Sequence, residues 1–473
     1  MRVVQVGTNR ANDDLSRYLL SNYDKLEFGL FVEPFQLHNE RIKECYSKYD
    51  NIIIENLAIR TPLQEDKDLT IYYHTNEHPN YEIATCDLSH LEKHMEWCPH
   101  LQGGEVRSFT AKSLTLEDLF TKYDIYYLDL LCLDVEGIDA EILLTFDWKK
   151  YKIKKIEFEH LHLGYYKDAV KNMMIGLGYE QVESLHEYDW AFINPNIVDD
   201  KDKLNNFPSI NIVSIVGSEE RRQVLYNMFE NYSIDNYSLH LFNRYVDEDH
   251  NIVSNDADIY VDKTYRGPLT SHLQAIKRWY ETTDEEYAIF FEDDVSFDAV
   301  KYWNFTWNEF FDSLPSNWEC VQLCAIATHK NVMEQILGRN RLSRRDWSDW
   351  SCAAYLIKRS HAKKLIDAYL PEETFYLDYK GWDRELRNKY HYCFIVPTPE
   401  NIVYTLFEDT KDSQSVYLFP LFLENISFSS TWCESDTHSD DENSLHNFSR
   451  KFAEDWWKSK GVKLSIEDLK YKD

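Results

Sequence analysis

Short apolar runs recur along the chain, separated by stretches in which apolar positions return at helical spacing. Val3–Val6, Leu30–Val32, Ile52–Ile54, Leu130–Leu133 and Ile156–Phe158 read as buried strands. Behind Gly7, the residues Leu15, Tyr18 and Leu19 recur with the period of a helix, and Asp13 and Asp14 precede them where acids cap a helix start. Alternation of strand and helix predicts a parallel sheet with helices on both faces.

The pattern breaks at Asn194–Ser209, NPNIVDDKDKLNNFPS, a polar, charged and proline-flanked stretch with the chemistry of a linker. It then restarts. Ile210–Val216 predicts a strand. Arg221–Phe229 predicts a helix with Val224, Leu225, Met228 and Phe229 on one face. Ser271–Tyr280 predicts another helix, with Leu273, Ile276 and Trp279 inward. Tyr287–Phe291 predicts a strand that runs directly into Glu292, Asp293 and Asp294. The expectation is two α/β domains, 1–196 and 209–433, joined by a linker at 197–208. Residues 434–473 read as an acidic loop followed by a C-terminal helix.

Composition narrows the function. Across 473 residues, 82 acidic side chains outweigh 51 basic ones, for a formal charge of −31. That balance argues against coating a nucleic acid or an anionic membrane surface. Apolar residues make up 43% of the chain, enough for real cores. The nine cysteines show no CxxC pair or Cys/His ladder, so zinc-ribbon and disulfide-scaffold readings fail and a reducing, cytoplasmic setting is expected. The N-terminus MRVVQVGTNR turns polar within seven residues, unlike a signal peptide, and no apolar run is long enough for a transmembrane segment.

Three features of the first half carry chemistry. Gly7 stands just past a strand and before a helix, where backbone can approach a ligand closely. Glu33 ends the next strand, where an acid can accept both hydroxyls of an adenosine ribose. Asp134 and Glu136, in LLCLDVEG, emerge from a buried strand on the side where open sheets bind ligands. With GTNRAND at Gly7–Asp13, VEP at Val32–Pro34, SLTLEDL before the later strand and LDVEGIDAEIL at Leu133–Leu143, residues 2–194 resemble the FkbM family of S-adenosylmethionine-dependent methyltransferases. The resemblance implies a Rossmann-like domain that binds S-adenosylmethionine through Gly7, Thr8, Asn9 and Glu33, with Asp134 and Glu136 at the reacting end. It also implies O-methylation of a hydroxyl, typically on a sugar. Ala11 stands where the family commonly has Gly. His160 and His162, in EFEHLHL, can supply a general base; the more ordinary reading is two strand-end histidines, and a metal pair there has no evident third ligand.

In the second half, YAIFFEDDVSF brings three acids to the mouth of a strand, a crowding that a cation or proton must compensate. Mn²⁺ or Mg²⁺ on Asp293 and Asp294 would do this and would offset charge on a nucleotide diphosphate leaving group. SEERR at Ser218–Arg222, GPLTSHLQAIKRW at Gly267–Trp279, CAAYLIKRSHAKKLI at Cys352–Ile366 and LDYKGWDREL around Asp378 and Asp383 complete a pattern that resembles glycosyltransferase family 25, the lipopolysaccharide and collagen glycosyltransferase group. The resemblance implies a GT-A-like α/β domain using a nucleotide-sugar donor. In it Arg221 or Arg222 would serve the donor phosphates, Ser271 and His272 the donor–acceptor cleft, and Asp378 a second acid or base. Ser214-Ile215-Val216 replaces the family's opening Asn-Leu-Asp.

These readings combine into a bifunctional enzyme that methylates and glycosylates a glycan or glycoconjugate acceptor. Two alternatives stay open: a methyltransferase beside a degenerate, glycan-binding glycosyltransferase domain, and a non-enzymatic interaction protein.

Overall fold

The computed structural model describes residues 1–21, 26–65, 67–78, 81–243, 252–253, 263–327, 330–345, 349–376, 399–404, 415–427 and 445–472. The chain divides into two compact units, Met1–Asp199 and Asp200–Asp473.

The first unit comprises β1 (Arg2–Val6), α1 (Asp14–Ser21), β2 (Phe28–Val32), α2 (Gln36–Cys45), β3 (Ile52–Glu55), β4 (Ala58–Arg60), β5 (Asp68–His74), α3 (Leu88–Trp97), β6 (Val106–Thr115), α4 (Leu116–Lys122), β7 (Tyr127–Leu133), α5 (Asp139–Thr145), β8 (Lys152–Glu159), α6 (Lys167–Gly176), β9 (Glu180–Val182) and β10 (Asp189–Ile193). Its main sheet has the order β3-β2-β1-β7-β8-β10-β9. The first five strands run parallel; β10 returns antiparallel to β8, and β9 antiparallel to β10. Alternate residues serve opposite faces. Val3, Phe31 and Leu130 pack with Leu15 and Leu19 of α1 and Ile42 of α2. Val4, Val6, Leu30, Val32, Leu131 and Leu133 pack with residues of α4, α5 and α6. Because both faces are covered, these strands read as near-continuous apolar runs rather than alternating ones.

Asp13 caps α1, its Oδ1 accepting from the Ser16 amide at 2.7 Å. The buried stripe of that helix is Leu15, Ser16 and Leu19, whereas Tyr18 faces solvent, contrary to the helical-spacing expectation. A second, three-stranded sheet, β4-β6-β5, lies between β3 and β7 in the sequence. Half of its long strand β6 is exposed, and it lacked the apolar run that marks the others.

The second unit holds a seven-stranded sheet of order β12-β11-β14-β18-β16-β20-β17. Its strands and first helices are β11 (Ile210–Ile215), α7 (Glu219–Asn231), β12 (Tyr237–Phe242), β13 (Ile252–Val253), α8 (Lys263–Thr282), β14 (Tyr287–Glu292), β15 (Val295–Ser296), β16 (Cys320–Gln322), β17 (Ser343–Arg344), β18 (Ala354–Lys358), β19 (Phe375–Tyr376), β20 (Val416–Leu418) and β21 (Leu423–Glu424). β12, β11 and β14 are parallel, and β18 runs antiparallel to β14. Two short pairs, β13 with β19 and β15 with β21, stand apart from the sheet. On α7 the buried positions are Arg221, Arg222, Leu225 and Phe229, so the inner face carries two arginines, while Val224 and Met228 are only half-buried. The terminal helix Leu445–Ser459 buries Ala453, Trp456 and Trp457, and the Trp457 indole donates to the Pro420 carbonyl at 3.1 Å. Among the described residues no helix is long and apolar enough to cross a membrane, and the described cysteines are all free.

Residues 200–204 belong structurally to the second unit. Lys203 is buried, and its ammonium donates to the carbonyls of Val300 and Lys301 at 3.1 and 3.0 Å and pairs with Asp200. Asp199, in contrast, pairs with Lys154 and accepts from the Tyr127 hydroxyl. Fragments 1–199 and 200–473 should therefore each fold with a cooperative thermal transition. A fragment beginning at residue 205 should be less stable than 200–473 by about 1–3 kcal/mol, the scale of leaving buried carbonyls unpaired. Denaturant titration of the three fragments followed by circular dichroism reads this directly.

Candidate functional site

In the first unit the strand order reverses at β1, which lies between β2 and β7. Crevices at such switch points, at the carboxyl ends of the strands, are where open α/β sheets take ligands. Gly7 ends β1 here with φ +80°, and a Cβ on it would stand 1.7 Å from the Asp134 carbonyl oxygen. No side chain fits, so the β1 turn lies directly against the backbone that leaves β7. The loop continues left-handed through Asn9 (φ +48°) and Ala11 (φ +52°). At Ala11 that conformation is the physical reason a glycine would also serve there. Thr8 is wholly buried and its amide donates to the Val32 carbonyl at 3.2 Å, so it supports the loop from behind rather than facing the crevice.

Glu33 is buried, and its carboxylate ties two turns together. One oxygen accepts from the Asn9 amide at 2.7 Å and the other from the Phe35 amide at 2.8 Å. His38 approaches the second oxygen at 3.6 Å. A carboxylate has about four acceptor directions, so two backbone donors leave capacity for a ligand's hydroxyls. Beside it Phe35 stacks on Tyr81 and meets Tyr73 and Phe109 edge-on, a ring cluster that the apolar pattern did not signal because its members come from separate elements.

Beyond β7 the chain turns through Glu136 (φ +53°) and Gly137 (φ +116°) into α5. Asp134 stays exposed at the crevice, while Glu136 is half-buried. Burial, then Asp134 and Glu159, raise the Glu136 pKa; Asp134 is pushed in the same direction by the atoms packed around it and by Asp139, Glu159 and Asp189, although the residue keeps exposed surface. Asp139 is buried at the start of α5, and burial pushes its carboxyl up to about 7, although the Val135 amide donates to it.

The two histidines of EFEHLHL part company. His160 turns toward Lys167, whose ammonium lies 3.3 Å from Nδ1, and packs on Trp190. His162 joins His90 and His94, one turn apart on α3, and Glu136. His90 Nε2 lies 3.2 Å from Glu136 Oε2, and His162 Nε2 lies 3.1 Å from Glu159 Oε1. Burial, then the adjacent His162 and His94 rings, pull the His90 pKa down to about 4. Sequence reasoning found neither α3 histidine, although the i, i+4 spacing in LSHLEKHMEW would have shown that they share a helix face.

In the second unit the acids lie at the carboxyl end of β14, beside that of parallel β11. Arg221 Nε pairs with Asp293 Oδ1 at 2.8 Å, and its Nη2 pairs with Asp294. The Ser214 hydroxyl donates to Asp293 at 2.5 Å and accepts from Arg222 at 2.8 Å. A buried guanidinium thus offsets the crowding that the sequence assigned to a metal. Burial raises the Asp293 pKa, against the pull of Arg221. Among the described residues, Asp294 Oδ1 and Arg221 Nη1, both buried, find no hydrogen-bond partner, so the cluster keeps one unused acceptor and one unused donor. Ser271 and His272, expected to line a cleft, are buried. The Ser271 hydroxyl donates back to the Gly267 carbonyl at 2.7 Å, and the His272 ring bridges the Tyr355 hydroxyl and Glu292, both at 2.9 Å. His272 thereby holds α8 to β18 and β14, while Ser271 bonds only within α8. Asp378 and Asp383 lie outside the described residues.

Residues 5–188 match the model of the methyltransferase FkbM domain, so an FkbM methyltransferase domain forms the N-terminal part of the chain. No curated protein matches the chain. Similar solved structures include the methyltransferase FkbM from Methylobacillus flagellatus KT, at 12% identity, covering 41% of this chain and 43% of that one, with a TM-score of 0.26. The fibrillarin pre-rRNA processing protein of Methanococcus jannaschii is 12% identical, over 41% of this chain and 65% of that one, with a TM-score of 0.22. A glycosyltransferase involved in glycosylation of the major capsid of PBCV-1 is 12% identical, over 45% and 92%, with a TM-score of 0.20. The chain spans less than half the length of the first of these.

Gly7→Ala tests the crevice. It adds a methyl group inside the Asp134 carbonyl and holds alanine at positive φ. The combined cost is about 2–5 kcal/mol, read as a lowered denaturation midpoint of fragment 1–199.

Proposed function

We propose that the first unit transfers the methyl group of S-adenosylmethionine to a hydroxyl of a sugar-like acceptor. The observation that carries this reading is the convergence of the Gly7 turn, the Glu33 carboxylate and Asp134 at the switch point of the main sheet. When bound, S-adenosylmethionine supplies an electrophilic methyl group on a sulfonium. The residues present fit it: the Gly7 turn packs on the Asp134 backbone with no side chain between them, and Glu33 retains acceptor capacity for a ribose. Gly7 and Asn9, both partly exposed, would line it, with Thr8 buried behind them. Asp134, exposed at the mouth, would orient the acceptor and receive its hydroxyl proton on the carboxylate, and Glu136 would stand beside it. Alignment is the larger part of the task, because a displacement needs the acceptor oxygen in line with the breaking bond. His160, held by Lys167 and Trp190, is the weaker candidate for the base.

Glu33→Gln is the test. The amide keeps the shape and one acceptor for the Asn9 and Phe35 amides but loses the charge. S-adenosylmethionine affinity should fall by about 1–3 kcal/mol in isothermal calorimetry, in a variant still folded by circular dichroism. Unchanged affinity would remove the ribose assignment.

For the second unit we infer glycosyl transfer from a nucleotide sugar, supported by the placement of Asp293 and Asp294 at the carboxyl ends of parallel strands and by the open Arg221 Nη1 and Asp294 Oδ1. Arg221 would hold the donor diphosphate. Asp293 and Asp294 would hold Mn²⁺ or Mg²⁺, which supplies positive charge for the leaving group when bound. Asp294→Asn should abolish release of nucleoside diphosphate from a nucleotide sugar while leaving methyl transfer intact. Undiminished release by the wild type in chelator would rule out the metal; absence of both release and binding with every common donor would leave a domain that only binds glycan.

A further inference from the structure

We propose that His90, His94, His162 and Glu136 bind one divalent transition-metal ion of the zinc class. The four side chains come from α3, the β7–α5 turn and the segment after β8, places far apart in sequence that the fold brings to one point. One ligand atom from each lies within 4.8 Å of all the others. The three imidazole rings sit 4.3–5.0 Å apart between centroids, and none of the four residues is exposed.

The surroundings hold this set in place. The i, i+4 spacing of His90 and His94 puts both rings on one face of α3. Glu136 reaches His90 because its backbone adopts φ +53°, and the Thr85 hydroxyl secures that turn by donating to the Glu136 carbonyl at 2.5 Å. Gly137 completes the approach: a Cβ there would lie 3.2 Å from His90 Nδ1. Glu159 contacts His162, the kind of carboxylate that orients a ligating histidine, and its other oxygen is buried with no hydrogen-bond partner among the described residues.

The donor chemistry selects the ion. Three nitrogens and one carboxylate oxygen suit zinc and its neighbours; magnesium and calcium want oxygen, and cuprous copper wants thiolate. Donors bonded at about 2.0–2.2 Å around a tetrahedral ion lie roughly 3.4 Å apart, so the present spacing closes onto an ion by side-chain movements of about 1 Å. The ion would tie α3 to the carboxyl ends of β7 and β8. It would also place positive charge beside Asp134 and Glu159, whose carboxylates converge with that of Glu136. The site is separate from the proposed Mn²⁺ or Mg²⁺ position on Asp293 and Asp294, and it does not depend on the methyl-transfer reading.

The test uses the full chain, stripped with chelator and dialysed. Calorimetric titration with Zn²⁺ should show one tight site per chain, and Zn²⁺ should raise the melting temperature. Co²⁺ should give the visible absorption of a four-coordinate nitrogen and oxygen site. His94→Ala/His162→Ala removes two half-buried ligands, and His94→Ala alone is the milder variant. Each should lose more than the roughly 10–100-fold in affinity that removing a ligand's supporting partner costs, while melting like the chelated wild type. A wild type that shows no one-to-one binding of Zn²⁺ or Co²⁺, or variants that bind as tightly as the wild type, would overturn the site. S-adenosylmethionine affinity measured in chelator reports separately on methyl transfer.

Discussion

The first unit depends on one close approach. The β1 turn lies so near the backbone leaving β7 that residue 7 has no space for a side chain. Everything proposed for the crevice follows from that contact. It brings the Gly7–Ala11 loop over the switch point, and it lets the Asn9 amide reach Glu33. Asp134 meanwhile stays at the mouth, because its main chain, not its side chain, makes the contact. A carboxylate that answers two backbone donors keeps the two turns in register, so the ligand-facing surface is built before any ligand arrives.

Both units crowd carboxylates at strand ends and compensate them differently. In the second unit compensation is internal: Arg221, on the buried face of α7, pairs with Asp293 and Asp294, and Ser214 links Asp293 to Arg222. A buried pair of this kind is costly to break from one side, because the remaining charge is left without water or partner. In the first unit Asp134, Glu136 and Glu159 converge, and imidazoles contact two of them, His90 at Glu136 and His162 at Glu159. Imidazole nitrogens offer lone pairs to an ion, whereas Arg221 brings a fixed positive charge to the other cluster.

The sequence by itself determined a good deal. Near-continuous apolar runs at Val3–Val6, interrupted by Gln5, at Leu30–Val32 and at Leu130–Leu133 specified strands covered on both faces, since a half-exposed strand would alternate. Position relative to those runs marked Gly7, Glu33, Asp134, Asp293 and Asp294 as strand-end residues, because strand ends in such sheets are where ligands bind. Only the tertiary structure decided what these groups touch. The pairing of Arg221 with both aspartates required the packing of α7 against the sheet. The inward turn of Ser271 and His272 required α8 to lie on β14 and β18. The separation of His160 from His162 occurred because the chain leaves β8 after Glu159, so strand periodicity no longer applied. Two partners of His162, His90 and His94, lie more than 60 residues earlier, on a helix whose spacing shows which of its own residues are neighbours but not what stands across from them. Local periodicity follows from backbone geometry and survives in the sequence; contacts between distant elements depend on how whole faces pack, and that is fixed only in the folded chain.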